Sequence, residues 1–378
     1  MAGGVAVIYL DSAATTLQKP PAVARAMARA VGTMTSPGRG NHGPANRAAR
    51  ILLALREKAG ELFGLSRPEQ VILTASATHG LNLAIKSLVR PGSAVLLSGW
   101  EHNAVTRPLA SIPGVRVGKV EAPLFRPDLF LADLDRKLAK GADSVIVTHV
   151  SNVFGYILPL DEIAARCRAR QIPLLVDASQ SAGVLPVRMD DWGAEFVAMP
   201  GHKGLYGPQG TGLLLVRDTA RPLLEGGTGS QSRLQAMPDF LPDRLEAGTH
   251  NIPGAAGLLE GLRFVEKTGL PVILRHETAL LDRAAAGLAR LPGVRVFRGE
   301  EAGCQCGVLS FQVEGRDPGE LADSLADRGI AVRSGLHCAP LAHAGGGTEE
   351  AGTVRMSFSA FNTAREIDRA LEILAELV

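Results

Sequence analysis

An α/β fold is what the sequence predicts: a large domain on a mostly parallel seven-stranded sheet, with a smaller α+β domain beside it. Three observations carry this. Between about residues 70 and 216, short β-branched-rich runs alternate with helical patterns, as in a parallel sheet covered on both faces. After about residue 255 the rhythm changes to two long helical patterns followed by scattered short strands. The length, 378 residues, leaves room for two or three domains at roughly 150 residues each.

Taken in order, the seven strand candidates are 71–74, 94–98, 115–120, 144–150, 173–177, 196–199 and 212–216. Segment 79–89 reads as a helix because Leu81, Leu83, Ala84, Ile85 and Leu88 form a broad apolar face. Further helical segments lie near 103–111, 130–140 and 160–170. Beyond the sheet, helical patterns at 254–268 and 272–291 lead into strands near 293–298 and 307–313 and a helix near 319–328. Strands near 330–333 and 353–358 and a final helix from about Thr363 complete the chain. The expected division is a large domain over 15–255 and a small domain made of 1–14 and 256–378. Three consecutive glycines within 344–348 read as a mobile loop. No internal repeat is visible.

Composition excludes several classes. Lys plus Arg number 40 against 38 Asp plus Glu, a net charge of +2, so no global field holds nucleic acid or an anionic membrane. Hydrophobic content of 46% with 21% charged residues is ordinary for a globular chain and excludes disorder. The longest stretch free of Asp, Glu, Lys and Arg, 144–160, contains Thr148, His149, Asn152, Gly155 and Pro159, which is no membrane span. An apolar run within 1–10 lacks the basic residues that precede a secretory signal, so the cytoplasm is the expected compartment. Four cysteines, Cys167, Cys304, Cys306 and Cys338, are too sparse for a disulfide scaffold and fit reducing surroundings. Cys304 and Cys306 are spaced more tightly than zinc ligands and no matching second pair follows, so no metal is expected. Gly118-Lys119 is followed by Val120, and Gly227-Thr-Gly229 is not completed by a third glycine at Ser232, which removes the P-loop and dinucleotide fingerprints.

Five segments carry chemistry. Thr74-Ala-Ser-Ala-Thr-His-Gly80 joins a strand to a helix, and reads either as an anion pocket of amides with Ser76 and Thr78 or as a plain helix cap. Asp177 ends an apolar strand, where a buried carboxylate requires a cationic partner. Lys203 stands between Gly201 and Gly204, glycines that permit a backbone path other residues resist; lysine is the side chain that forms Schiff bases. Cys338 is the cysteine placed beside a histidine, with Arg333 close by, and so the candidate for a low-pKa thiolate. Cys167 reads as a packed helix residue. In the strand from Thr353, Val354, Met356 and Phe358 face one way and Arg355 and Ser357 the other. Arg355 is therefore either a carboxylate clamp or a surface salt bridge.

In this order the segments resemble the class V aminotransferases, pyridoxal-phosphate enzymes of fold type I, and within them the cysteine desulfurase and selenocysteine lyase branch. The resemblance runs from Tyr9-Leu-Asp-Ser-Ala-Ala-Thr-Thr16 to Phe361-Asn-Thr363 and is most specific at Val176-Asp-Ala-Ser-Gln180, Gly201-His-Lys203, Glu246-Ala-Gly-Thr-His-Asn251 and Arg333-Ser-Gly-Leu-His-Cys338. It implies that Lys203 carries pyridoxal 5'-phosphate covalently and that Asp177 pairs with the ring nitrogen. Gln180 and Asn152 then lie near the phenolic oxygen, and His102 stacks on the ring. Thr78, with the amides around Ala77, and His202 hold the phosphate, while Thr249 reaches the phosphate of the neighbouring subunit in a homodimer. Arg355 is the clamp on the substrate carboxylate, with Arg333 beside it and His42 from the N-terminal loop. The implied reaction takes L-cysteine to L-alanine and leaves a persulfide on Cys338 for a sulfur-acceptor protein, with His337 and the arginines supplying positive charge around the thiolate.

Pro200 stands where relatives carry Ser or Thr, Ala77 where a second threonine is common, and Leu336 where a first histidine often precedes the cysteine. The alternatives are a selenocysteine lyase acting on L-selenocysteine, or another aminotransferase or β-lyase of the same class, neither of which requires a thiol at 338. A non-catalytic binding protein that kept the fold is the reading from another class, and it predicts no cofactor.

Overall fold

The computed structural model describes residues 7–38, 40–217 and 219–378; the readings made at 1–10 and 1–14 fall outside it over residues 1–6. The strands are β1 (Ile8–Tyr9), β2 (Val71–Thr74), β3 (Ala94–Leu97), β4 (Arg116–Lys119), β5 (Ser144–Thr148), β6 (Leu174–Asp177), β7 (Phe196–Pro200), β8 (Gly212–Val216), β9 (Val294–Phe297), β10 (Val308–Val313), β11 (Ile330–Ala331), β12 (Arg333–Gly335) and β13 (Thr353–Ser357).

β2 to β8 form the seven-stranded sheet in the order β2-β8-β7-β6-β5-β3-β4. The neighbours from β7 through β6, β5 and β3 to β4 are parallel. β8 runs antiparallel to both β7 and β2. Alternation along the strands feeds two cores, as a sheet covered on both faces requires. Val145, Val147, Val176, Val197 and Leu215 pack on one side with residues of the helices Gly43–Phe63, Leu160–Ala169 and Ile252–Thr268. Ile146, Leu175, Phe196 and Leu214 pack on the other with Leu81, Ala84 and Ile85 of the helix Ala77–Leu88.

The helices Pro21–Thr33 and Gly43–Phe63 were not read in the sequence. The helix Ile252–Thr268, which begins just before residue 255, sends Ala255, Leu258, Leu259 and Leu262 into the same core as Leu52, Leu55 and Phe63. Glu246, in the loop before it, forms a buried two-pronged pair with Arg56, at 2.6 and 2.8 Å, and accepts the Leu73 amide at 2.6 Å. Removing one partner strands the other charge away from water. Glu246→Ala is therefore expected to cost about 3 kcal/mol, read as a lower urea midpoint at unchanged slope.

A third core gathers Leu281, Ala284, Leu309, Phe311, Val354, Met356 and Ile373 around the antiparallel sheet β12-β13-β10-β9. β1 pairs parallel with β11 and Leu10 joins this core, which stitches the N-terminal segment to the C-terminal part. The strand expected near 330–333 is two strands, β11 and β12, in different sheets. The final helix, Ala364–Ala375, starts on Thr363, whose side chain and Glu366 form a reciprocal capping box.

The mobile loop expected at 344–348 is not what the glycines make. The helix Pro340–Gly346 takes their place, pressed so close to the loop after β5 that a Cβ on Gly346 would lie 2.3 Å from Phe154. Gly345 and Gly346 permit contact rather than motion, and Gly347 closes the helix in the left-handed region. Among the described residues no helix is long and apolar enough to cross a membrane.

Candidate active site

A cavity of about 200 Å³ opens at the carboxyl ends of β5, β6 and β7, whose last residues Thr148, Asp177 and Pro200 line it. This is where open α/β sheets hold ligands. The wall also takes Ser76, Ala77, Thr78, His102, Asn152, Gln180, His202 and Lys203 from the large sheet's loops, Arg333 and Arg355 from the four-stranded sheet, and His337 from the turn after β12. Most of the site residues read from the sequence thus meet in one place. Thr249 and His42 do not: Thr249 lines a separate pocket with His79 and Asn251, and His42 caps the helix Gly43–Phe63 on the surface.

Asp177 is 4% exposed and accepts the Ser179 amide at 2.9 Å. Among the described residues it makes no ion pair, so the cation its position calls for is not a direct neighbour. Lys203 is half-buried in the cavity wall, and loss of hydration pushes its ammonium down to about 8, with Asp177 pulling the other way. Neither glycine beside it is left-handed; the requirement is close approach, since a Cβ on Gly204 would lie 2.5 Å from the Ala182 carbonyl. Lys203 thus faces the cavity rather than standing free on the surface.

Ser76 caps the helix Ala77–Leu88 by accepting the His79 amide at 3.1 Å, so the cap and the cavity wall are one structure. His102 caps the next helix, Asn103–Ala110: its Nδ1 accepts the Ala104 amide at 3.0 Å. Burial, aided by Lys203, holds its pKa below the ordinary imidazole range. The His202 carbonyl accepts from Thr15 Oγ1, Thr16 Oγ1 and Lys19 Nζ at 3.0 to 3.2 Å. Its ring is pushed down to about 4 by burial and the two lysines. Lys19 is itself lowered to about 8 by burial.

Arg355 is 2% exposed, which rules out the surface salt bridge. Nη2 donates to Asp11 Oδ1 at 2.7 Å and Nη1 to the Asn152 carbonyl at 2.8 Å. Arg333 lies directly across the strand pair from it. Like charges in register repel, and Arg333 and burial both lower the Arg355 pKa. The pair therefore favours an incoming anion. Gln180 and Asn152 each spend one amide N–H on the chain, Gln180 to the Ala13 carbonyl at 3.0 Å and Asn152 to the His337 carbonyl at 2.9 Å, and each keeps a second. His202 Nδ1, Thr148 Oγ1, Asn152 Oδ1 and Arg355 Nε are buried in this wall without partners. Such atoms cost about 1–3 kcal/mol each until something polar meets them.

Cys338 is exposed and lies off the cavity wall, one residue beyond His337. Its carbonyl accepts the Asn103 amide at 2.7 Å, which ties it to the helix that His102 caps. One expectation is corrected here. His337 supplies no positive charge, because burial and Arg355 push its ring down to about 2.

Asp11 and Lys19 escaped the sequence reading. Asp11 lies just beyond β1 and Asp177 is the last residue of β6, so an acid at a strand end is a signal of the same kind. Lys19 lies 183 residues from the carbonyl it binds, and nothing local marks it.

Residues 8–370 match the family Aminotransferase class-V. The chain belongs to the class-V aminotransferases. Among the family's members, a probable cysteine desulfurase of Pyrococcus abyssi is 31% identical over 98% of this chain and 94% of its own length. A probable cysteine desulfurase of Mycolicibacterium paratuberculosis is 33% identical over 99% of this chain, which spans 56% of that relative. The apo structure of a cysteine desulfurase from Thermococcus onnurineus superposes with a TM-score of 0.89 at 33% identity, covering 98% of this chain and 94% of the other. The fold is thus that of the type I pyridoxal-phosphate enzymes.

Proposed function

We propose that this class-V protein is a pyridoxal-phosphate-dependent cysteine desulfurase, a cytoplasmic homodimer that moves sulfur from L-cysteine onto Cys338 and releases L-alanine. The observation that carries the reading is a half-buried lysine, an acid at the strand end and two arginines in one cavity, with an exposed thiol beside it.

Pyridoxal phosphate fits these residues, since the unpartnered His202 Nδ1, Thr148 Oγ1 and Asn152 Oδ1 answer a polar ring and phosphate. When bound, it supplies an electron sink for the substrate's Cα–H bond. Lys203 holds it and moves the Cα proton. Asp177 keeps the ring nitrogen protonated, Gln180 and Asn152 bond near the phenolic oxygen, and His102 lies against the ring. His202, Thr78 and the amides from Ser76 to Thr78 take the phosphate, joined by Thr249 of a second copy. Arg355 orients the substrate carboxylate through its free Nε edge, with Arg333 at the rim. The Cys338 sulfur then attacks the substrate sulfur: the S–S bond forms, the substrate's Cβ–S bond breaks, and the departing carbon takes a proton to become alanine. A sulfur-acceptor protein draws the terminal sulfur from Cys338. The test is to incubate the cofactor-loaded protein with L-cysteine: one alanine for each sulfur on Cys338 supports the reading, and no alanine defeats it.

The lowered Lys203 pKa fixes a pH dependence. Only the neutral amine attacks an aldehyde, and with a pKa of about 8 about a tenth of it is neutral at pH 7. The rate at which cofactor-free protein gains pyridoxal-phosphate absorbance is therefore expected to climb from pH 6 and level off above about 8. An ordinary lysine would still be climbing at pH 10.

A further inference from the structure

Behind Cys338 lies a buried histidine pair that none of these roles uses. His337 and His343 are 5% and 0% exposed, and their rings stack 5.5 Å apart with planes 11° apart. One chain of hydrogen bonds links them. His337 Nε2 lies 3.4 Å from the Arg333 carbonyl, His337 Nδ1 lies 3.3 Å from His343 Nε2, and His343 Nδ1 lies 2.7 Å from Thr348 Oγ1.

The carbonyl end assigns every proton in this chain, because a carbonyl can only accept. His337 Nε2 must carry hydrogen, so the neutral ring presents Nδ1 as acceptor. His343 Nε2 then donates to it, His343 Nδ1 accepts in turn, and the Thr348 hydroxyl donates. Both rings are neutral, in line with burial lowering them to about 2 and about 4.

The chain braces an unfavourable turn. His337 and Cys338 are successive non-glycine residues in the left-handed region, with φ of 49° and 56°, a conformation costing roughly 1–2 kcal/mol per residue. Their carbonyls are pinned by Asn152 Nδ2 and the Asn103 amide, and the His337 ring is the side-chain tether. Its far end is firm, since the Thr348 amide donates to the His343 carbonyl at 2.9 Å and the Gly352 amide to the Thr348 carbonyl at 2.8 Å. We propose that His343 is a positioning residue for Cys338: through the His337 ring it locks the left-handed turn and so fixes where the thiol stands beside the cavity. The functional side of this inference rests on the sulfur-carrying role given to Cys338; the placement of the thiol does not.

His343→Phe keeps a ring and deletes both hydrogen bonds, whereas His343→Gln keeps a donor near the position of Nε2. Two readouts apply to the cofactor-loaded protein: kcat and KM for alanine formation from L-cysteine, and the rate of Cys338 alkylation by iodoacetamide, which needs no turnover. For His343→Phe, kcat is expected to fall about tenfold at unchanged KM, since the carboxylate contacts are untouched, and alkylation to quicken as the turn is released. His343→Gln restores both. Wild-type kcat and alkylation in His343→Phe overturn the proposal, as does equal impairment of both variants, which marks a packing role alone. If His343→Phe fails to fold, Thr348→Val removes the last link of the chain and is read the same way. Should the wild type make no alanine, the desulfurase reading fails, and the alkylation rates still decide the placement of the thiol.

Discussion

Lys203→Ala is expected to lower alanine formation from L-cysteine by about 10³-fold or more, the upper part of the range for losing a positioned proton-transfer group, while the fold survives. The survival follows from how the residue is held. The Lys203 carbonyl accepts the Tyr206 amide at 2.8 Å, and that bond does not depend on the side chain. The ammonium itself is a burden. Its pKa is about 10.5 when exposed and about 8 in the folded, cofactor-free protein, so between these values the unfolded chain binds the extra proton. Its penalty on stability is complete below pH 8 and fades as pH rises toward 10.5. Cofactor-free Lys203→Ala is therefore expected to be at least as stable as the cofactor-free wild type at pH 7, and to lack the part of the rise in stability between pH 8 and 10.5 that this group contributes. Urea midpoints across that range check the second point, and visible absorbance after pyridoxal phosphate is added checks the loss of attachment. A non-catalytic protein that merely kept the fold predicts no absorbance in either protein and no change on substitution.

The sheet was legible because its strands are short and apolar and its connections are helical, a pattern that periodicity reports directly. The strand-end residues Asp177 and Lys203 were legible for a related reason: charged groups at the end of a buried run have nowhere to go but a cavity. Three things were not legible. The helices Pro21–Thr33 and Gly43–Phe63 find their partner, Ile252–Thr268, roughly 200 residues away, and no local signal names it. A run of glycines at 345–347 looks the same in sequence whether it bends freely or, as at Gly345 and Gly346, packs against Trp100 and Phe154; only the contact distances separate the two. The charge of His337 was misjudged because adjacency in sequence was read as an electropositive neighbourhood, whereas burial had already neutralised the ring. Arg355 shows the same lesson with the opposite outcome. Its alternation on a strand left two readings open, and burial beside Asp11 excluded the surface one.

Cys338→Ala is expected to reduce alanine formation from L-cysteine to background while pyridoxal-phosphate absorbance stays at the wild-type level. The exposed position of Cys338, next to the cavity but not lining it, separates holding the cofactor from receiving the sulfur, so the two readouts part company only if the thiol is the acceptor. A lyase that eliminates directly, or an aminotransferase, has no use for sulfur at this position and keeps its full rate. The other three cysteines offer no substitute. Burial pushes the Cys167 thiol up to about 12 and raises Cys304 and Cys306 as well, and a thiol with a pKa near 12 is about 10⁻⁴ thiolate at pH 8. Mass spectrometry of the wild type after L-cysteine is added should therefore find one extra sulfur atom, on the peptide containing Cys338, and none on the peptides of the three buried cysteines. Undiminished turnover in Cys338→Ala would remove the persulfide step and leave direct elimination as the chemistry of this cavity.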